Sequence, residues 1–166
     1  FAGLAQGSAV VDLATNHVFT IDYEGGDGND VVLTSRGIAE TFVSFDSGTN
    51  NLLVEDITNA TSDTLTIRQN FGQIIITDPN QVLATNIAGA TQVDEHTVVI
   101  DLSIPAVASQ FTGSSVEVRS GAGDDTLTVD FTSGNFTKEI EYDGGSDSGA
   151  GDRLIVANGN FGDIAH

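Results

Sequence analysis

Apolar and polar residues alternate along most of this chain in short runs, and this period of two is typical of β-strands with one buried face. The turns between the runs are rich in Gly, Asp, Asn and Ser, which end strands by taking positive φ angles or by bonding their own backbone. We predict an all-β fold with a single helical turn, which starts at Pro105 within residues 105–111. The predicted strands lie at residues 9–14, 17–23, 30–35, 40–46, 51–56, 63–69, 72–78, 96–102, 114–119, 125–131, 138–143 and 153–158.

Parts of the sequence resemble one another. Residues 116–131 and 141–156 both have the order strand, Gly/Asp turn, strand, and residues 54–67 are a weaker copy that keeps Asp-Thr-Leu-Thr. A spacing near 27 residues suits one coil of a parallel β-helix, and one of about 62 suits two longer coils. The aligned strand starts are separated by 62 and 27 residues, and they are Asp63, Asp125 and Asp152.

These recurring Gly-Asp corners favour a right-handed parallel β-helix, or β-solenoid. An antiparallel β-sandwich remains open, because a dozen short strands suit both folds and strand periodicity does not distinguish them. We expect a single module over residues 1–166, with sub-units at about 1–35, 36–98 and 99–166. Since the chain has no Met, Phe1 is not a translational start, and we expect a processed product or an excerpt of a larger chain.

The charge balance narrows the classes of partner. Lys and Arg total 5 against 24 Asp and Glu, giving a net charge of −19. This excess repels nucleic acid and anionic lipid, and no apolar run approaches the roughly 18 residues of a membrane span. The chain has no Cys for disulfides or thiolate metal sites. An acidic chain of this kind suits divalent cations or high salt, which relieve its self-repulsion.

Two nine-residue segments have the pattern of calcium-binding β-roll turns. GGDGNDVVL, at residues 25–33, matches every fixed position, with Val32 as the apolar residue, and SGAGDDTLT, at residues 120–128, departs by having Ser120 as its first residue. In a parallel β-roll the Gly-rich half directs carbonyl groups and the Asp at calcium, while the apolar residue faces the core. Roll sites are shared between consecutive repeats, whereas these two copies stand far apart in the chain.

A third turn, at residues 143–152, has three Asp residues in a longer loop that could surround one ion by itself. The alternative for every one of these turns is a tight corner in which Asp caps backbone N–H groups and binds no metal. The predicted calcium ligands are Gly25, Asp27, Asp30, Asp125, Asp143, Asp147 and Asp152.

Catalytic patterns are sparse, and we predict that the protein is not an enzyme. Polysaccharide lyases and hydrolases with β-helical folds need clustered carboxylates, often beside a basic residue. The basic residues here are scattered along predicted strands and turns, at Arg36, Arg68, Arg119, Lys138 and Arg153. The histidines are isolated, at His17, His96 and His166, and none lies in a nucleophile or metal motif.

Four segments resemble a known class of repeat proteins. They are FAGLAQGSAV, FTIDYEGGDGNDVVLTS, the segment from DLSIPAVASQ to DTLTVDF, and IEYDGGSDSGAGDRLIV. Residues 1–35 and 99–157 resemble the β-strand repeat regions of giant secreted bacterial surface proteins, planctomycete or autotransporter-like, with RTX-like Gly-Asp turns. The resemblance implies a non-catalytic β-helical or β-roll segment of an extracellular adhesin, sheath or filament protein, with some calcium affinity.

We therefore expect a structural or adhesive module at the bacterial cell surface, stabilised by calcium and associating with copies of itself or with neighbouring repeats of its own chain. The alternative is a β-helix that binds or cleaves carbohydrate, such as a surface polysaccharide. An exposed aromatic platform would favour that alternative, but the chain has no Trp, and its nine Phe residues are better explained as core.

Overall fold

A computed structural model describes residue 4 and residues 6–58, 61–147 and 149–159. Fourteen strands and one short helix lie in these parts of the chain. Two strands, β8 and β9, lie where the sequence pattern predicted none. The elements are β1 (Ala9–Asp12), β2 (His17–Gly25), β3 (Asp30–Ile38), β4 (Thr41–Phe45), β5 (Leu52–Asp56), β6 (Thr64–Asn70), β7 (Gln73–Thr77), β8 (Leu83–Thr85), β9 (Thr91–Asp94), β10 (Thr97–Asp101), α1 (Pro105–Ala108), β11 (Ser115–Arg119), β12 (Thr126–Asp130), β13 (Glu139–Asp143) and β14 (Arg153–Ala157).

The strands form three open sheets, and the prediction of an all-β protein is confirmed. The N-terminal sheet has the order β1-β2-β3, the six-stranded sheet β14-β12-β6-β7-β10-β9 and the five-stranded sheet β13-β11-β5-β4-β8. Val54 and Val118 of the five-stranded sheet share one core cluster with Ile67 and Leu127 of the six-stranded sheet. This arrangement is sandwich-like, and a parallel β-helix is not shown.

Three strands of each larger sheet are nevertheless parallel and in register. Val116 of β11 pairs with Leu52 of β5 and Ile140 of β13. In the six-stranded sheet, β12 pairs in the same way with β6 on one side and β14 on the other. The chain thus passes three times from the five-stranded to the six-stranded sheet, along β5–β6, β11–β12 and β13–β14. We call these passages the three strand pairs.

Antiparallel strands separate the first pair from the second. A two-residue turn follows β6, in which Phe71 and Gly72 have φ angles of 46° and 87°, as a tight β-hairpin requires. β7 then pairs antiparallel with β6, and β10 with β7. The prediction that 62 residues correspond to two coils is wrong, because the added hairpins lengthen the chain without separating β6 from β12.

The core lies between the two larger sheets and follows from the alternation of apolar residues. Leu65 and Ile67 of β6 are buried, as are Leu127 and Val129 at the paired positions of β12. Burial of each such side chain stabilises the fold by about 1.5–3 kcal/mol. The predicted helical turn at Pro105 is confirmed as α1, which buries Val107 against this core.

The N-terminal sheet is less buried than the other two. Every residue of β3 except Gly37 is exposed. A small separate cluster, containing Val18, Ala39 and Ala84, packs beneath it. This sheet is an antiparallel meander in which β2 pairs with both β1 and β3. None of its strands belongs to the three strand pairs, which lie in the two larger sheets.

Candidate functional site: the aspartate ladder and the Gly-Asp turns

One Asp precedes the second strand of each strand pair, and together these residues form a ladder of side-chain-to-backbone hydrogen bonds. The Asp63 N–H donates to Asp125 Oδ1 at 2.7 Å, and the Asp125 N–H donates to Asp152 Oδ1 at 2.9 Å. The aspartate ladder, Asp63, Asp125 and Asp152, confirms the alignment made from sequence. Asp125 and Asp152 each accept the backbone N–H of the preceding ladder residue, and the ladder therefore fixes the register of β6, β12 and β14.

The ladder is most deeply buried at its first two members. Asp63 and Asp125 are each 1% exposed. Burial, followed by the negative charges of Asp56 and Asp78, raises the pKa of Asp63 from 3.8 to about 8. Burial also raises the pKa of Asp125, while hydrogen bonds from the Asp63 N–H and the Ser120 side chain oppose the rise. An uncompensated charge is therefore costly at this place.

The first Gly-Asp motif forms a hairpin turn and not a β-roll turn. It joins the antiparallel strands β2 and β3, with Gly25 paired with Asp30 and the Gly28 N–H donating to the Gly25 carbonyl at 2.9 Å. Asp27 and Asp30 are exposed. Val32 is 39% exposed, so the prediction that it faces the core is wrong. The physical reason is that the next strand pairs back on β2 instead of continuing into a parallel coil.

The second motif joins β11 to β12, the two strands of the second strand pair. Its apolar residue, Leu127, is fully buried, as the pattern predicts. Its Asp125 caps a backbone N–H in the ladder, which is the contact that the non-metal alternative predicts. The turn also contacts the next strand pair, where the Gly123 N–H donates to the Ser146 carbonyl at 3.0 Å. The first motif lies in the N-terminal sheet and the second lies between the two larger sheets, so the structure does not combine them into one site.

The third turn brings two carboxyl groups together. The Asp147 side chain bonds to that of Asp152, and this contact, with the negative charge of Asp152, raises the pKa of Asp147. The Asp152 backbone N–H also bonds to Asp147, which therefore occupies the place of a fourth ladder residue. Asp143 instead caps the Gly145 N–H at 3.0 Å. The Asp147–Asp152 pair is the part of this loop whose mutual repulsion a cation would relieve.

Asp124 serves a structural purpose beside this pair. Its carboxylate accepts three consecutive backbone N–H groups, at residues 149–151, at distances of 2.8, 2.9 and 3.2 Å. Oxygen atoms that accept several N–H groups are stabilised as anions without a metal. Asp124 therefore fixes the loop that carries Asp147, as the interpretation of a capping Asp requires.

No group of three or more His, Cys, Asp or Glu side chains in the described residues is arranged to hold a metal ion. The seven predicted calcium ligands therefore remain a prediction, and they are divided among three turns. Among the basic residues, Arg119 pairs with Glu117 at 2.7 Å, and Lys138 lies over the Phe111 ring at 4.7 Å from its centre. His166 lies outside the described residues.

The sequence reasoning missed Asp63 as a candidate site residue. Its alignment with Asp125 was visible in the shared Asp-Thr-Leu-Thr, and this was the signal that could have identified it. Its burial could not be predicted from the sequence, because the acidic residues that lie around it come from distant parts of the chain. No helix of the described parts is long and apolar enough to cross a membrane.

Comparison of this chain with models of known families, with curated proteins and with solved structures gives no match.

Proposed function

We propose that this chain is a non-catalytic structural module of an extracellular or bacterial cell-surface protein, built to associate end to end. In this proposal the three strand pairs are the coils of a short right-handed solenoid, which copies of the chain or neighbouring repeats extend. The observation that carries the proposal is the open end formed by β13 and β14. The parallel register of three strands in each larger sheet supports the solenoid interpretation.

The open end consists of the outermost strand of each larger sheet, β13 and β14. Leu154 and Val156 continue the core rows of Leu127 and Val129, but they are 54% and 52% exposed where the interior residues are buried. Outermost strands also present backbone N–H and C=O groups that can pair with another strand. Both features fit a further coil stacked on this end.

The open end is also acidic, and its charge bears on how it can associate. Glu139, Glu141 and Asp143 of β13 are exposed, in a chain with a net charge of −19. Like charges brought together repel each other, unless cations bind between them or salt screens the repulsion. At roughly 0.1 M salt, the repulsion between exposed charges fades over a distance of about 10 Å. We propose that calcium supports association by binding at the Asp147–Asp152 pair beside this end.

Sedimentation velocity over a range of protein concentrations tests the proposal, first in EDTA and then in millimolar calcium. We expect concentration-dependent association that calcium strengthens. Leu154→Lys should abolish it, because the substitution places a charge in the apolar row of the open end. Leu13→Lys is the matched control, since Leu13 is 62% exposed in the turn after β1 and should associate as the unaltered chain does.

Two results would count against end-to-end association. A chain that sediments as a monomer at every concentration, with and without calcium, has no self-associating end. Association that survives Leu154→Lys but is lost in Leu13→Lys would place the contact on the N-terminal sheet.

A carbohydrate-binding role is the second candidate, and one observation favours it. Phe71 is 96% exposed at the tip of the β6–β7 hairpin, with a φ angle of 46° that is unfavourable for a bulky side chain. Exposed aromatic rings can stack on sugar rings, although a single ring offers little area. Retention on immobilised polysaccharide that Phe71→Ala removes would favour this role over the structural one.

A further inference from the structure

Carboxyl groups from several strands surround the buried Asp63, which directly precedes β6. Glu40 precedes β4, Asp56 ends β5, Asp78 follows β7 and Asp125 precedes β12, and the negative charge of each acts on Asp63. We call these five residues the acidic corner. The corner joins the first strand pair to the second, and it adjoins the Asp147–Asp152 pair, because the Asp125 N–H donates to Asp152 Oδ1 at 2.9 Å.

Hydrogen bonds explain part of the acidic corner but not its centre. Asp78 accepts the Thr64 N–H at 2.7 Å and the Asn80 N–H at 2.8 Å, so it is a structural cap. Asp125 uses Oδ1 in the ladder. Buried oxygens without a hydrogen-bond partner in the described residues remain, and they include both carboxylate oxygens of Asp63, Oδ2 of Asp125 and the Thr61 hydroxyl.

These oxygens have the chemistry of a hard-cation site. Calcium takes carboxylate, hydroxyl and carbonyl oxygens, and it commonly combines a few charged ligands with neutral ones. No Lys or Arg of the described chain forms an ion pair with Asp63 or Asp125. A buried carboxylate without a donor or a counter-charge costs several kcal/mol. A bound cation would remove this cost and use the oxygens that the protein leaves unpartnered.

We infer that the acidic corner binds a calcium ion between the carboxylates of Asp63 and Asp125, with neutral oxygens such as the Thr61 hydroxyl completing the coordination. The described residues contain no group of three or more such side chains arranged to hold a metal ion. In this proposal two carboxylates are therefore the charged ligands, and neutral oxygens supply the rest of the roughly 6–8 that calcium takes. The ion would connect β6 to β12 at the point where the chain returns after a 62-residue excursion. The inference deepens the calcium part of the proposed function and does not depend on self-association.

Thermal unfolding of the whole chain, followed by circular dichroism in EDTA and in a series of calcium chloride concentrations, tests the site. We expect calcium to raise the Tm of the unaltered chain and of Asp147→Asn, which alters the exposed pair. Asp63→Asn should need more than roughly tenfold more calcium for the same rise, because it loses a charged ligand. In EDTA at neutral pH, Asp63→Asn should melt above the unaltered chain, because folding then no longer has to protonate a carboxylate that is ionised in the unfolded chain.

Terbium provides a second measurement that does not require Asp63→Asn to fold. The Ser120 hydroxyl donates to the Tyr142 hydroxyl at 3.4 Å and also bonds to the Asp125 carboxylate, so the Tyr142 ring is placed to sensitise a lanthanide bound at the acidic corner. Burial, and then the charges of Asp152, Asp125 and Asp63, raise the pKa of Tyr142. We expect terbium emission from the unaltered chain and from Asp147→Asn, and its loss in Tyr142→Phe. Calcium should compete for the emitting site.

The outcomes separate this site from the proposed function. An equal rise of Tm with calcium in Asp63→Asn, or loss of both the rise and the emission in Asp147→Asn, would overturn the inference and assign calcium to the exposed pair. Absence of any calcium effect on Tm and of any sensitised terbium emission would overturn both calcium assignments. The structural proposal would then be decided by sedimentation alone.

Discussion

The contribution of strand-pair stacking to the free energy of unfolding can be measured at the row Leu65–Leu127–Leu154. These residues are register partners in β6, β12 and β14, but Leu127 is covered on both sides whereas Leu154 lies at the open end. Leu127→Ala should destabilise the chain by about 3–5 kcal/mol, since it removes a fully buried side chain and leaves a cavity. Leu154→Ala should cost about 1 kcal/mol, because about half of its side chain is in water already and no cavity forms.

Guanidinium unfolding followed by far-UV circular dichroism measures both free energies of unfolding, at a protein concentration low enough to exclude association. A common slope against denaturant would show that both variants lose stability and not cooperativity. A difference of about 2 kcal/mol or more is expected between the two variants. Equal costs for Leu127→Ala and Leu154→Ala would refute the assigned order of strands, because two equivalent leucines in one row would then be equally covered.

Three further predictions concern the turns. A Cβ on Gly145 would lie 1.8 Å from the Gly121 carbonyl oxygen, so Gly145→Ala should lower the free energy of unfolding by more than about 2 kcal/mol. A Cβ on Gly134 meets nothing within 4 Å, so Gly134→Ala should cost only about 1 kcal/mol of backbone strain. Denaturant unfolding measures both. In EDTA, stability should fall by up to about 6 kcal/mol as pH rises from about 4 to about 8, because folded Asp63 keeps a proton that the unfolded chain releases near 3.8, and a flat profile in unaltered protein would contradict this. Asp124→Ala should speed amide hydrogen exchange at residues 149–151, which lose their common acceptor, and unchanged rates there would show that other contacts hold the loop.

The sequence predicted those strands and turns whose conformation depends on residues close together in the chain. The alternation over residues 63–69 and 125–131 identified strands, since one face of each is buried and the other is not. Pro105 marked the helical turn, because its fixed φ suits the first helical position. The alignment of Asp63 with Asp125 also held, since a ladder of caps requires the same residue at the same place in each strand pair.

Strand partners could not be predicted in the same way. The segments at residues 25–33 and 120–128 share a Gly-rich turn, yet one closes an antiparallel hairpin and the other lies between two sheets. Gly permits the positive φ angles that either turn uses, so the turn itself does not select the partner of the next strand. β8 and β9 were missed because three or four residues give too short an alternation to distinguish a strand from a loop.

The number of strands beside each ladder residue explains why Asp152 is less buried than Asp63 and Asp125: β6 and β12 each have a neighbouring strand on both sides, whereas β14 is outermost in the described sheet. Asp125 receives an N–H from Asp63, while its own N–H goes to Asp152. At the open end, Asp147 takes the Asp152 N–H that a further coil would otherwise cap. A coil stacked on β14 must therefore displace Asp147 from this N–H and bury Asp152 as Asp125 is buried. The proposed association at this end and the proposed cation binding at the Asp147–Asp152 pair should consequently be coupled, because both would act on the same two carboxylates.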